Sequence, residues 1–228
     1  MMTDRPILFS APMVRALLVG TKTQTRRVLG KTGYCNIFEP GVWLDSYVLD
    51  PGNAEWRARH IPFAVGDRLW VKETWACHWA TNDQKPREIA PDLWSVRYFA
   101  DGFIRPAARD DNMALPEQFS RKRVSIFMPR WASRLTLAVT EVRVERLQEI
   151  SEADAADEGR APCVRCHDSG WVNSGPDGGW QCTEHLCGHT DVEWYRDLWD
   201  TINGDGAWDK NPWVVALTFT VEQRNIDA

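Results

Sequence analysis

Hydrophobic positions recur at two spacings along the chain, and the changes between them mark out its elements. Ile7-Leu8-Phe9 is a short apolar run that predicts a strand. Met13, Val14, Leu17 and Leu18 then fall at helical spacing, behind Ser10 as a capping residue and Pro12 in the first turn. Gly20 predicts the stop, because glycine reaches left-handed backbone angles without steric cost. Thr21 to Arg27 is therefore expected to leave the helix as a surface loop.

Residues 30–65 show no clear period and read as loops with one short strand. Gly66-Asp67 predicts a turn, and Arg68 to Glu73 alternates like a strand. Trp94–Phe99 and Val124–Phe127 are further strand candidates, with a polar loop from Ala107 to Arg123. Leu135, Leu137 and Val139 alternate, and Val142 and Val144 continue in the opposite phase, which predicts a β-bulge near Thr140-Glu141. Ser151-Glu152-Ala153-Asp154 opens a short helix ending near Gly159. Thr190-Asp191-Val192-Glu193 is a capping box for a helix with Trp194, Leu198 and Ile202 on one stripe, closing near Gly204. Trp213 to Val221 predicts a final strand. Several strands with three short helices make the chain mostly β (α+β), a barrel with helical plugs. No strand leads into a Gly-rich phosphate loop, which argues against a nucleotide-cofactor fold.

At 228 residues the chain is expected to be a single domain, 1–228, able to bury a core without disulfides. Its 13 Trp point to large apolar surfaces, most simply a Trp-rich core, with some available for base stacking. The net charge of -5 means that any grip on nucleic acid rests on a local patch, and a small nucleoside suits the charge at least as well. No stretch is long and apolar enough to span a membrane. Asp4, Arg5 and Arg15 interrupt the N-terminal segment as a signal peptide, so a cytoplasmic location is expected.

Gly20-Thr21-Lys22-Thr23-Gln24-Thr25-Arg26-Arg27 carries a dense set of cations and hydroxyls. In extended chain, residues two apart share a face, which puts Thr21, Thr23 and Thr25 on one side and Lys22, Gln24 and Arg26 on the other. On composition alone this is equally a solvated polar turn. The run resembles the Gly-x-Lys-Thr-x-Thr-x-Arg signature of the ASCH family, phage or prophage type, with Gly20, Lys22, Thr23, Thr25 and Arg27 at every defined position. Further blocks carry the same resemblance. They are Arg5 to Leu18, Gly66 to Trp75, Met128 to Arg134, Ser151 to Gly159, Trp199 to Gly204 and Trp208 to Trp213.

The resemblance implies a PUA-like β-barrel with short flanking helices, and RNA or a modified nucleoside as partner. Some family members are amidohydrolases of N4-acetylcytidine, and carry-over of their catalytic set gives Lys22, Thr25 and Glu158. A Thr oxygen needs a base, a Lys supplies one if desolvation lowers its pKa, and a carboxyl group serves the leaving amine. Thr23, Arg26 and Arg27 are candidate substrate contacts, with Arg27 or backbone N–H groups at the oxyanion. Glu73 is a second acid candidate at a strand end. Other family members are ribonucleases or non-catalytic RNA binders, and both remain alternatives.

Four of the six Cys and three of the five His lie between Cys163 and His189. Cys163-x2-Cys166 and Cys182-x4-Cys187 are spaced as ligand pairs, with His185 as substitute, and predict a structural Zn in a Cys/His-rich insertion, 162–189. The intervening Gly, Ser, Asp and Pro cannot build a core, so a metal would explain an ordered segment. Without one, the stretch reads as a flexible insert with unpaired thiols. Ser120-Arg121-Lys122-Arg123, with Arg130, Trp131 and Arg134, offers the local basic patch, or a solvated charge run.

Overall fold

The periodic segments fold close to where their spacing puts them. The elements are β1 (Asp4–Leu8), α1 (Ala11–Val19), β2 (Gln24–Val28), α2 (Asp45–Val48), α3 (Ala54–His60), β3 (Arg68–Lys72), β4 (Trp75–Cys77), β5 (Val96–Tyr98), β6 (Ile104–Arg105), β7 (Thr136–Arg146), α4 (Glu152–Asp157), β8 (Trp171–Val172), β9 (Trp180–Gln181), α5 (Asp191–Asn203) and β10 (Trp213–Glu222). The structure, a computed structural model, describes residues 3–29, 44–91, 93–107, 116–119, 121–162, 171–172, 180–181 and 189–228, with backbone alone at 47, 57, 171, 172, 180 and 181.

The chain divides into two compact units: residues 1–20, 64–141 and 219–228 form one, and 21–63 and 142–218 the other. In the first, β1 runs parallel to β3, and β3 pairs antiparallel with the start of β7. β4, β5 and β6 form an antiparallel sheet over Trp75, Cys77, Val96, Tyr98, Met128 and Ala132. Asp67 fixes the entry to β3. Its buried carboxylate accepts from the backbone N–H groups of Thr3 at 2.9 Å and Ala64 at 3.0 Å, so the turn at Gly66 is tied to the start of β1.

In the second unit β10 pairs antiparallel with β2, with Leu217 opposite Thr25 and Thr218 opposite Gln24. α4 packs against β2 and α5, over a core of Leu147, Ile150, Ala155, Tyr195, Trp199, Trp208 and Val214. The sheets are open among the described residues, giving an α+β fold of strand-rich sheets and short helices.

Caps behave as their chemistry requires. Ser151 Oγ accepts from the N–H of Asp154 at 3.1 Å, and the Thr190–Glu193 box is reciprocal. Glu152 links the two helices, its Oε2 accepting from the N–H groups of Asp191 at 2.7 Å and Val192 at 3.1 Å. Gly20 closes α1 at φ 82°.

Several expectations are corrected. Thr21–Arg27 is not a surface loop: Gln24–Val28 is strand β2, and Lys22, Gln24, Thr25 and Arg26 are buried. The segment around residues 44–60, read as loop, contains α2 and α3, whose few turns are too short to show a period. Val124–Phe127 is not a strand; Ser125–Phe127 is a 3-10 turn that leaves Val124, Ile126 and Phe127 exposed. On α5 the buried stripe is Tyr195 and Trp199, while Ile202 is exposed. β7 runs unbroken from Thr136 to Arg146, and its phase change falls at Thr140 and Glu141, both exposed. Most described Trp side chains are core, as composition suggested: Trp56, Trp70, Trp75, Trp199, Trp208 and Trp213 are buried, and Trp79 is exposed. Among the described residues no helix is long and apolar enough to cross a membrane.

Candidate functional site

Two backbone contacts stitch the segment after α1 to the end of α4. Lys22 and Glu158 form an isolated antiparallel bridge, and the Thr23 N–H donates to the Asp157 carbonyl at 2.9 Å. Glu158 is the C-cap of α4, and Gly159 after it takes φ 99°, so the chain turns away and leaves the Glu158 side chain facing Lys22.

The side chains follow from this stitching. Lys22 is 0% exposed, and its Nζ donates to Glu158 Oε2 at 2.7 Å and to the Glu158 carbonyl at 2.8 Å. Arg26 Nη1 donates to Glu158 Oε1 at 3.2 Å, so the carboxylate bridges two cations. Arg26 Nε also donates to Glu145 Oε1 at 2.9 Å. Gln24 Nε2 donates to Asp154 Oδ1 at 2.7 Å, and Arg143 pairs with the same oxygen at 3.0 Å. Lys22, Gln24 and Arg26 thus share one side, as extended chain requires. Tyr195 of α5 closes the cluster, with the Arg26 guanidinium 5.9 Å from its ring centre.

Burial sets the electrostatics. Desolvation holds the Lys22 ammonium below its ordinary pKa, opposed by the charge of Glu158 and its hydrogen bond. The Tyr195 phenol is pushed well above its ordinary value, first by burial and then by the Glu158 carboxylate. A desolvated lysine beside a carboxylate at hydrogen-bond distance can pass a proton either way, which is what an acid–base couple needs.

Thr25 is placed differently. Its buried hydroxyl accepts from Arg27 Nη1 at 2.7 Å, and among the described residues its hydrogen-bond partner is neither Lys22 nor Glu158. Arg27 Nη1 also donates to the Arg26 carbonyl at 3.0 Å. Of the sequence-derived set, Lys22, Arg26 and Glu158 come together, Thr25 pairs with Arg27, whose charge acts on both Lys22 and Glu158, and Thr23 contributes its backbone. Sequence reasoning missed Glu145, Asp154, Arg143 and Tyr195, and named Gln24 only for the side it shares with Lys22 and Arg26. Asp154 was visible only as a helix-start residue, and Tyr195 sits one position off the stripe read for α5.

The remaining candidates belong to the first unit, each with its own partners. Glu73, buried, accepts from Arg134 Nε at 2.8 Å and Nη2 at 3.0 Å, and Arg134 also holds Asp101 at 2.8 Å. Burial pushes the Glu73 carboxyl up in spite of Arg134. Arg130 pairs with Asp4 at 2.7 Å and Asp227 at 2.5 Å. Trp131 packs edge-on to Trp75 at 6.1 Å, with Arg105 5.6 Å from its ring centre. The proposed metal ligands Cys163, Cys166, Cys182 and Cys187, and His185, lie outside the described residues. Comparison with protein-family models, with curated proteins and with solved structures finds no match to this chain.

Proposed function

We propose that this chain is a hydrolase acting on a modified nucleoside, an N4-acylated cytidine in the first instance, with Lys22 and Glu158 as its proton-transfer pair. The observation that carries this reading is the 2.7 Å contact between Lys22 Nζ and Glu158 Oε2 in a desolvated cluster. The Glu158 carboxylate takes a proton from water as the oxygen adds to the acyl carbon. The C–N bond then breaks, the Lys22 ammonium protonates the departing amine, and Glu158 returns its proton to Lys22. Arg27 is the donor offered to the oxyanion. Because Lys22 is closed off from solvent, turnover requires local opening of the cluster. The same reading carries an ASCH-type, PUA-like barrel as the full fold, a structural Zn in the 162–189 insertion, and action in the cytoplasm.

The test is to incubate the protein with a panel of N4-acylated cytidines and short RNAs and to follow products by mass spectrometry. Release of the acyl group supports the reading; an unchanged panel sinks it. The burial of Lys22 and Thr25 favours a second reading, in which the cluster only holds the fold of a non-catalytic RNA- or nucleotide-binding module. That module binds the RNAs and leaves them intact. A ribonuclease would shorten them in the same assay.

A further inference from the structure

We propose that the first unit carries a second, separate site: a cleft that binds single-stranded nucleic acid through its phosphates and stacks a base on Phe127. The cleft encloses about 390 Å3 and is lined by Asp83, Gln84, Lys85 and Pro86 on one side and by residues 121–124 and Phe127 on the other. Its lining cations are Lys85, Arg121, Lys122 and Arg123, against the single carboxylate of Asp83, in a chain whose net charge is -5. This is the local basic patch that the overall charge balance demands of a nucleic-acid contact.

Three features separate the cleft from an ordinary solvated charge run. Arg121, Lys122 and Arg123 form no ion pair among the described residues. Arg121 donates to the Asn82 carbonyl, Arg123 donates to the carbonyls of Thr81 at 2.7 Å and Gln84 at 3.3 Å, and Lys122 lies over the Phe99 ring at 5.2 Å. Neutral partners fix these side chains and leave their charge uncompensated. Arg123 is also buried, and among the described residues its Nε has no hydrogen-bond partner. Arg123 makes no direct contact with a ligand through this atom; its charge adds to the positive potential of the cleft. Finally, Phe127 is 62% exposed at the edge of this basic lining. A cationic groove with an aromatic platform is the arrangement that tracks a backbone and stacks bases without reading sequence. An acidic peptide would meet the cations but would leave the exposed ring without a stacking partner.

The site uses neither Lys22 nor Glu158, so it stands or falls apart from the hydrolase reading. The test is fluorescence anisotropy of the full chain with labelled oligouridine and oligodeoxythymidine of about ten nucleotides, within the usual span of such grooves. An oligoglutamate of equal charge serves as competitor. Both oligonucleotides are expected to bind, with tighter binding of the uridine strand marking RNA as the source and of the thymidine strand DNA. Phe127→Ala is expected to weaken binding by about fivefold to a hundredfold, the range for loss of one stacked base. Phe127→Tyr should retain it. Arg121→Ala with Lys122→Ala should flatten the slope of log affinity against log salt by about 0.7 for each phosphate that is no longer neutralised. Arg123 is left intact because it is bonded into the fold. Absence of binding by the unaltered chain overturns the proposal. So does affinity indifferent to both sets of substitutions in a chain with unchanged circular dichroism, or equal displacement by oligoglutamate.

Discussion

Lys22 and Glu158 are joined by an antiparallel backbone bridge and by a 2.7 Å ion pair between their side chains, and Lys22 Nζ also donates to the Glu158 carbonyl at 2.8 Å. The first contact puts the two chain segments in register. The second puts a cation and a carboxylate where water is excluded.

The stability of this pair is asymmetric. Removing one member of a buried pair leaves the other uncompensated, at about 3–5 kcal/mol. Glu158→Gln strands Lys22, while Arg26 keeps Glu145, whereas Lys22→Met leaves Glu158 with Arg26. Urea unfolding should therefore find Glu158→Gln the more damaging change. The Lys22→Met/Glu158→Gln double variant should cost less than the sum of the singles, since each single already breaks the same pair. Additive losses would show that the two residues do not act on one another.

The pH dependence has a definite sign. Burial lowers the Lys22 pKa from 10.5, so between its folded value and 10.5 the unfolded chain holds more protons than the folded one. Stability from this group therefore rises with pH across that window, as the penalty on the buried ammonium is relieved. The difference in unfolding free energy between the unaltered chain and Lys22→Met should shift in favour of lysine as pH rises toward 10.5. A difference that is flat from neutrality upward would contradict the assigned desolvation.

If the hydrolase reading holds, Lys22→Ala and Glu158→Gln should each lower turnover of an N4-acylated cytidine by about 100-fold or more, the usual share of a positioned acid or base. Their effects should not multiply, because either change disables one step. Thr25→Ala should keep measurable activity, since Arg27 holds the Thr25 hydroxyl and water is the attacking species. Complete loss in a folded Thr25→Ala chain would instead make Thr25 the nucleophile, as the family resemblance implies.

Elemental analysis of the purified chain should find about one Zn per chain, the content of a four-ligand structural site. Chelation should expose Cys163, Cys166, Cys182 and Cys187 to a thiol reagent while the far-ultraviolet signal of the sheets persists, because each unit has its own apolar core. No metal, with all four thiols reactive from the start, would remove the site.

How much was legible varies from segment to segment. α1 ends at Gly20 and α5 starts at Thr190, as the local chemistry of a left-handed stop and a reciprocal box dictates. β3 and β10 were visible from their apolar content. α2 and α3 were not, because four and seven residues hold too few turns to show a period. Val124–Phe127 looked like a strand for its β-branched and aromatic residues. Strand formation needs a partner ladder, and this segment turns instead.

The sequence by itself determined the elements whose signals are local: caps, glycine stops, and the two-residue alternation that puts Lys22, Gln24 and Arg26 on one side. Its resemblance to the ASCH signature implied Lys22, Thr25 and Glu158 as a set. Only the tertiary structure decided which of them meet. The polar run Thr21–Arg27 looks like a solvated turn because polarity normally tracks exposure. Pairing of β2 with β10 and the cover of α4 bury Lys22, Gln24, Thr25 and Arg26 instead, and that burial is tolerable only because Glu158, Glu145 and Asp154 arrive from distant positions to meet Lys22, Arg26 and Arg143. Charge compensation between segments so far apart in the chain has no local signature, so no window of sequence reveals it.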